Sequence, residues 1–205
     1  MPHTQPHARS RKKTAAMPTG TSTPDAIALL KQDHRTVSAL FEEFEKADEE
    51  EQATIAQRVC QLLTVHAQIE EELLYPAAKE AFEGEEEDED LVNEAEVEHG
   101  SAKELIAKIE GMSSGDEHFK ATVTVLGEYI KHHVKEEESE LFPQLKKTEL
   151  DLKELGGRLA ERKFALMEQL GIEEQEAPQP RKRSAGRAAS RPKSSSRRSG
   201  SRARH

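Results

Sequence analysis

Between Ile27 and Leu170 apolar residues recur every three or four positions and nowhere alternate with period two for long. That spacing lines one face of a helix and argues against strands. Ile27, Leu30, Val37, Leu40, Phe41 and Phe44 predict a first helix over about 25–47. Thr23-Pro24-Asp25 opens it with a capping hydroxyl, a proline and a first-turn acid. Ile55, Val59, Leu62, His66, Ile69 and Leu73 predict a second, capped by Asp48. Pro76 kinks or ends it, although AAKEAF could carry it on to Phe82. Leu91, Val92, Ala95, His99, Ala102, Leu105, Ile106 and Ile109 mark a third over about 88–111, broken by GMSSG. The acidic run EEEDED before it reads as a loop or a solvated helix start. A fourth, over about 116–147, carries Val123, Leu126, Ile130, His133, Glu137 and Leu141, with Pro143 near its end. A fifth, over about 149–170, has Gly156-Gly157 in its middle, which should weaken it. Four long amphipathic helices with short loops predict an all-α fold, an up-down antiparallel four-helix bundle over 25–147. An additional C-terminal helix within 148–172 completes the prediction.

Polar residues interrupt these apolar stripes in a repeated way. Shifting the chain by 67 positions lays HVKEEESELFP on HAQIEEELLYP. His66 then meets His133, Glu70 meets Glu137, Tyr75 meets Phe142 and Pro76 meets Pro143. A shift of 65 lays His99 on His34 and Leu105, Ile106 and Ile109 on Leu40, Phe41 and Phe44. The domain therefore reads as two helical hairpins of like design. Residues i and i+4 share a helix face, so each HxxxE aims an imidazole and a carboxylate into one interior. Four histidines and two carboxylates converge, and no lysine or arginine lies on the stripes to pair with them. Buried unpaired carboxylates cost several kcal/mol each, and a bound cation removes that cost. Imidazole and carboxylate are donors for Fe, Mn, Zn or Cu rather than Mg or Ca, and two carboxylates can bridge a metal pair. The competing reading is a hydrogen-bonded polar core without metal.

Composition divides the chain. Of 205 residues with net charge −10, residues 1–24 hold four basic side chains and 181–205 hold ten, both without acids, leaving −24 in between. Both ends read as disordered: a basic segment over 1–24 and a Lys/Arg/Ser-rich tail over 173–205. The tail is suited to non-specific nucleic-acid contact through phosphates, but has no aromatics to stack on bases. The single cysteine, Cys60, falls on a helical stripe and reads as a small buried hydrophobe. One thiol, no membrane-spanning run and no apolar leader segment predict a cytoplasmic protein, monomeric or weakly oligomeric.

Other candidates are weaker. His132 and Glu136 also have HxxxE spacing, but the stripe selects His133, which leaves His132 facing solvent. His118 lies near a helix start, where it caps or is solvated. Tyr129, one turn before His133, is a packing residue or a support for the site. Glu96 and His99 form one ExxH, whereas the ferritin-like scheme needs two.

Over 25–145 these residues resemble the hemerythrin-like, or HHE cation-binding, family. The resemblance rests on His34, HAQIEEELLYP, His99 and HVKEEESELFP. It implies a four-helix bundle around a non-heme di-iron centre, bridged by Glu70 and Glu137, with His34, His66, His99 and His133 as terminal ligands. Oxygen carriers of the family have a fifth histidine one turn from another on the third helix. Here Ala95 and Lys103 flank His99 at that spacing. Their last carboxylate is an Asp five residues after its His, the place Glu138 holds here. The pattern is nearer the broader bacterial and regulatory branch, with open coordination positions for O2, peroxide or nitric oxide. Three functions follow as expectations: a di-iron protein that binds or senses such molecules or iron, with Zn and Mn fitting the same atoms; a stress-defence enzyme turning over peroxide or nitric oxide; and a nucleoid-associated protein using the basic tail.

Overall fold

A computed structural model describes residues 24–172, and their regular structure is all helical. The remainder of the basic N-terminal segment and the tail from 173 lie outside the described residues. The first rod is α1 (Ala26–Phe44). Asp25 rather than the expected hydroxyl is its cap, its carboxylate accepting from the Ala28 N–H, and Thr23 lies outside the described residues. The second rod begins with α2 (Glu49–Ile69), where Asp48 and Glu51 close a reciprocal capping box. A single π-helical turn, Glu70–Leu74, leads into α3 (Tyr75–Ala81). The third rod is α4 (Glu86–Glu110), whose acidic first turn faces solvent and suits the positive helix end. The fourth begins with α5 (Phe119–Glu136), passes through a second π turn, Glu137–Leu141, and ends in α6 (Phe142–Leu145). The fifth is α7 (Leu152–Leu170), capped by Asp151 and closed by Gly171 at φ +65°.

Neither Pro76 nor Pro143 ends its helix. In the π turns the Tyr75 N–H bonds to the Glu70 carbonyl and the Phe142 N–H to the Glu137 carbonyl, five residues back. The wider turn takes up the missing proline N–H and eases the ring clash, so the rods run on.

The first four rods contact in a ring: first with second, second with third, third with fourth, fourth with first. The fifth packs on the first and second. The core divides into two apolar clusters. One holds Leu30, Ile69, Tyr75, Phe82, Phe142, Leu155 and Leu159. The other holds Val37, Phe44, Val59, Leu63, Ile106, Leu126 and Ile130. Cys60 is buried in the second, and burial pushes its thiol up to about 12, which leaves it inert at neutral pH. Gly156-Gly157 does not break α7. A side chain on Gly156 would lie 2.4 Å from the Pro24 carbonyl oxygen, so α7 uses the bare backbone to seat against the start of α1. No helix among the described residues is long and apolar enough to cross a membrane.

Candidate metal centre

Nine polar residues are buried among the described residues, two of them bonded to nearby carbonyls: Gln52 to Phe44 and Thr122 to His118. The other seven are Asp33 and the six residues singled out by the repeat: His34, His66, Glu70, His99, His133 and Glu137. The six converge. The His34 and His66 Nε2 atoms lie 3.2 Å apart, and those of His99 and His133 lie 3.1 Å apart. Glu70 Oε2 is 3.2 Å from His66 Nε2 and 3.5 Å from His99 Nε2. Glu137 Oε2 is 3.3 Å from His34 Nε2 and 3.6 Å from His133 Nε2. Each carboxylate thus touches one imidazole of each pair.

Four further carboxylates face the Nδ1 side of these rings. Glu138 is 3.0 Å from His34, Glu71 is 3.1 Å from His99 and Glu98 is 2.7 Å from His133. Asp33 is 3.6 Å from His66 Nδ1, beyond hydrogen-bond reach. The repeat marks all four. Asp33 and Glu98 precede their histidines, and Glu71 and Glu138 follow Glu70 and Glu137. An ionised carboxylate only accepts, so it fixes the proton on Nδ1 and leaves the Nε2 lone pair facing the centre. Two lone pairs at 3.1–3.2 Å repel unless a proton or a metal sits between them. Ligand atoms on one ion at about 2.1 Å bonds are themselves about 3 Å apart, so the spacing fits metal coordination. Both Glu70 oxygens and Glu137 Oε2 are buried without hydrogen-bond partners. The donor set therefore fits a pair of borderline cations.

In the metal-free protein, burial and the neighbouring Glu137 push Glu70 well above the ordinary carboxylate range. Burial acts on Glu137 in the same direction, but His133 and His34 outweigh it and hold that carboxyl at about 2. Burial would lower His133, yet Glu137 and Glu98 carry it above its usual value. Burial takes His66 down, and burial with His133 takes His99 down to about 4. In the metal-free core burial and Glu137 therefore favour the protonated form of Glu70, and Glu137 and Glu98 favour the protonated form of His133.

Tyr75 is a site residue that sequence reasoning missed. Its hydroxyl lies 3.1 Å from His99 Nε2 and 3.2 Å from Glu137 Oε1. Phe142, its counterpart in the repeat, instead stacks on His34 at 5.9 Å. The inequality of Tyr75 and Phe142 was the available signal. Tyr129 only packs in the second apolar cluster. Glu96 pairs with Lys79 at the surface, and His118 makes no side-chain cap. A cavity of about 20 Å³ adjoins the four histidines, walled by Val37, Leu63, Ala67, Ala102, Ile106 and Ile130.

Comparison with known proteins agrees with this arrangement. The sequence profile described as the Hemerythrin HHE cation binding domain matches residues 25–145. A DNA nickase of Nostoc sp. is 30% identical over 119 residues, 58% of this chain. The chain spans about a third of that relative's length, 32%. The crystal structure of a Hemerythrin HHE cation binding domain-containing protein from Mycobacterium kansasii superposes with a TM-score of 0.61 at 22% identity, covering 71% of this chain and 89% of that one, and so shares the fold. With its profile matched over more than half of the sequence, the chain belongs to the hemerythrin HHE cation-binding family.

Proposed function

We propose that the protein holds two non-heme iron ions, one at each imidazole pair, and there binds or senses dioxygen or a related small molecule such as peroxide or nitric oxide. The observation that carries this is the crossed geometry, in which Glu70 and Glu137 each touch one histidine from both pairs. That is the placement of two bridging carboxylates. Bound iron would supply a redox-active Lewis acid at the centre. The residues do the rest. Glu71, Glu98 and Glu138 orient three of the imidazoles by hydrogen bonds, and Asp33 faces the fourth. The apolar cavity of about 20 Å³ admits a water-sized molecule and little else. Tyr75 presents a hydroxyl beside His99, and burial with the two glutamates keeps it protonated. Zn and Mn suit the same atoms, so metal identity is part of the test.

Titrating metal-free full-length protein anaerobically with Fe(II) at pH 7 is expected to show two ions bound with proton release, because metal displaces the protons that Glu70 and His133 hold more tightly than usual. Both groups are raised, so they hold their protons at low pH. Apparent affinity therefore strengthens as pH rises through the His133 value and weakens below it. Admitting air should then produce a new near-ultraviolet band from charge transfer to iron. Two bound ions with no spectral response to air, peroxide or nitric oxide would reject the reading. Repeated peroxide turnover that Glu70→Ala abolishes would move it to an enzyme of stress defence.

A second reading adds nucleic-acid association through residues 181–205. Their ten Lys/Arg without an acid favour it, as does the name DNA nickase carried by the Nostoc relative, while the −24 middle opposes it. Deleting 181–205 is expected to abolish retention on duplex DNA at about 50 mM salt, with the full chain losing it by about 200 mM. Equal retention by both chains would end this reading.

A further inference from the structure

The four carboxylates that face the Nδ1 atoms of the histidines are not equally neutralised. Lys163 pairs with Asp33, Lys103 with Glu71 and Lys31 with Glu138. Glu98 has no lysine among the described residues. Its Oε2 holds His133 Nδ1 at 2.7 Å, and its Oε1 faces His132 Nε2 at 3.9 Å. His132 in turn lies 3.1 Å from Glu136 Oε1. Where the other three carboxylates meet an ammonium, this one meets an imidazole and a second carboxylate.

The repeat explains why the place is open. Asp33 and Glu98 are equivalent positions, and so are Val65 and His132, and Ile69 and Glu136. In the first half α7 packs over α1 and α2, with Val65 and Ile69 buried in the same apolar cluster as Leu155 and Leu159. Lys163 of α7 supplies the cation to Asp33. In the second half His132 is 59% exposed. The ligand-type side chains therefore replace apolar ones where none of the described helices covers the face.

A pocket of about 40 Å³ begins here, lined by Glu94, Glu98, Glu136 and Glu140 and reaching His133 and Glu137. Glu137 is 2% exposed, and its Oε2 has no hydrogen-bond partner. No lysine or arginine of α4 or α5 pairs with these acids. The volume exceeds the ~10–15 Å³ that one water needs.

We propose that Glu98, His132 and Glu136 form an outer divalent-cation site that captures Fe(II) or a similar ion at the surface and passes it along the acidic pocket to the buried centre. One imidazole and two carboxylates suit Fe(II), Mn, Co or Zn. Their ligand atoms lie within 4.8 Å of one another, near the ~3–4 Å separations that ~2.1 Å bonds to one ion require. The capture site stands on its own residues, and only its delivery role rests on the metal-binding reading of the core.

The test is titration of metal-free full-length protein with Co(II), followed by ligand-field absorption and metal analysis, for wild type, His132→Ala/Glu136→Gln and His66→Ala. Wild type is expected to bind one more ion, more weakly, than the double variant. Loading of the buried centre in the double variant should be roughly tenfold slower, with its final occupancy unchanged, because a cleft of one charge raises cation on-rates by about that factor or more. Loss of the extra ion without slower loading would keep the site and overturn its delivery role. Equal stoichiometry in wild type and double variant would overturn the site. His66→Ala separates the two readings. A weak ion retained there alongside a failed core supports the outer site alone. Circular dichroism of the double variant checks its fold, which the surface positions should leave intact.

Discussion

Glu70→Met is expected to make the metal-free protein more stable and to abolish most of its stabilisation by metal. Glu70 is 0% exposed and neither of its oxygens has a hydrogen-bond partner. Burial and Glu137 raise it well above the ordinary carboxylate range, so folding carries the cost of a carboxyl that is harder to ionise than in the unfolded chain. The sign follows. A carboxyl raised on folding favours the fold only below its unfolded value, and that preference is lost as pH rises through the folded value. Methionine has a similar volume and no such cost. Replacing buried ionic groups by apolar ones of similar volume is often neutral or stabilising by ~1–4 kcal/mol, and a gain of ~2 kcal/mol in a domain of this size raises the melting midpoint by about 5 °C. With metal the order reverses. An ion at a hundred times its Kd stabilises the wild type by ~2.7 kcal/mol, and the variant lacks the shared ligand. Thermal melts of both proteins, with and without Fe(II) or Zn(II) under anaerobic conditions, read the crossing. A metal-free variant less stable than metal-free wild type would show that Glu70 is satisfied by something other than metal.

Neighbouring glycines in α7 should respond to alanine with opposite signs. A Cβ on Gly156 would lie 2.4 Å from the Pro24 carbonyl oxygen and 2.6 Å from the Ala26 nitrogen, backbone atoms that cannot rotate away. Alanine there forces α7 off α1 and costs ~1–3 kcal/mol by overpacking. A Cβ on Gly157 meets nothing within 4 Å. Alanine there keeps only the gain in helix propensity, ~1 kcal/mol. Gly156→Ala should therefore lower the melting midpoint by about 5 °C while Gly157→Ala raises it by about 3 °C. Displacing α7 also loosens Lys163 from Asp33, the carboxylate facing His66, so Gly156→Ala should weaken metal binding as well. Equal melting shifts of the same sign in both variants would contradict the close seat of α7.

Much of this centre was legible because a helix has one short period. His66 and Glu70 lie four apart on an apolar stripe, and the same pair returns at His133 and Glu137. Period and repeat together place four imidazoles and two carboxylates indoors, and the structure buries all six. Helical period alone did not place Tyr75. In a regular α-helix it lies about 140° around the axis from Glu70, on another face. The π turn adds a residue to that revolution, which brings both residues into the core. The orienting carboxylates were marked by the repeat yet unreadable as partners, since each acts on a ring from a different rod.

What the chain order determined by itself is everything set within one helix or by comparing two: the helical class, the buried ligand-type residues and the doubling of the motif. Only the packed structure decided which imidazoles pair, which carboxylate spans both pairs, and which half α7 covers. Those relations join residues of separate rods, such as His34 with Glu138 and Lys163 with Asp33, and no local periodicity constrains them. They are fixed by how rods pack across the ring, where one covered face takes a lysine and its open counterpart keeps a histidine and a glutamate.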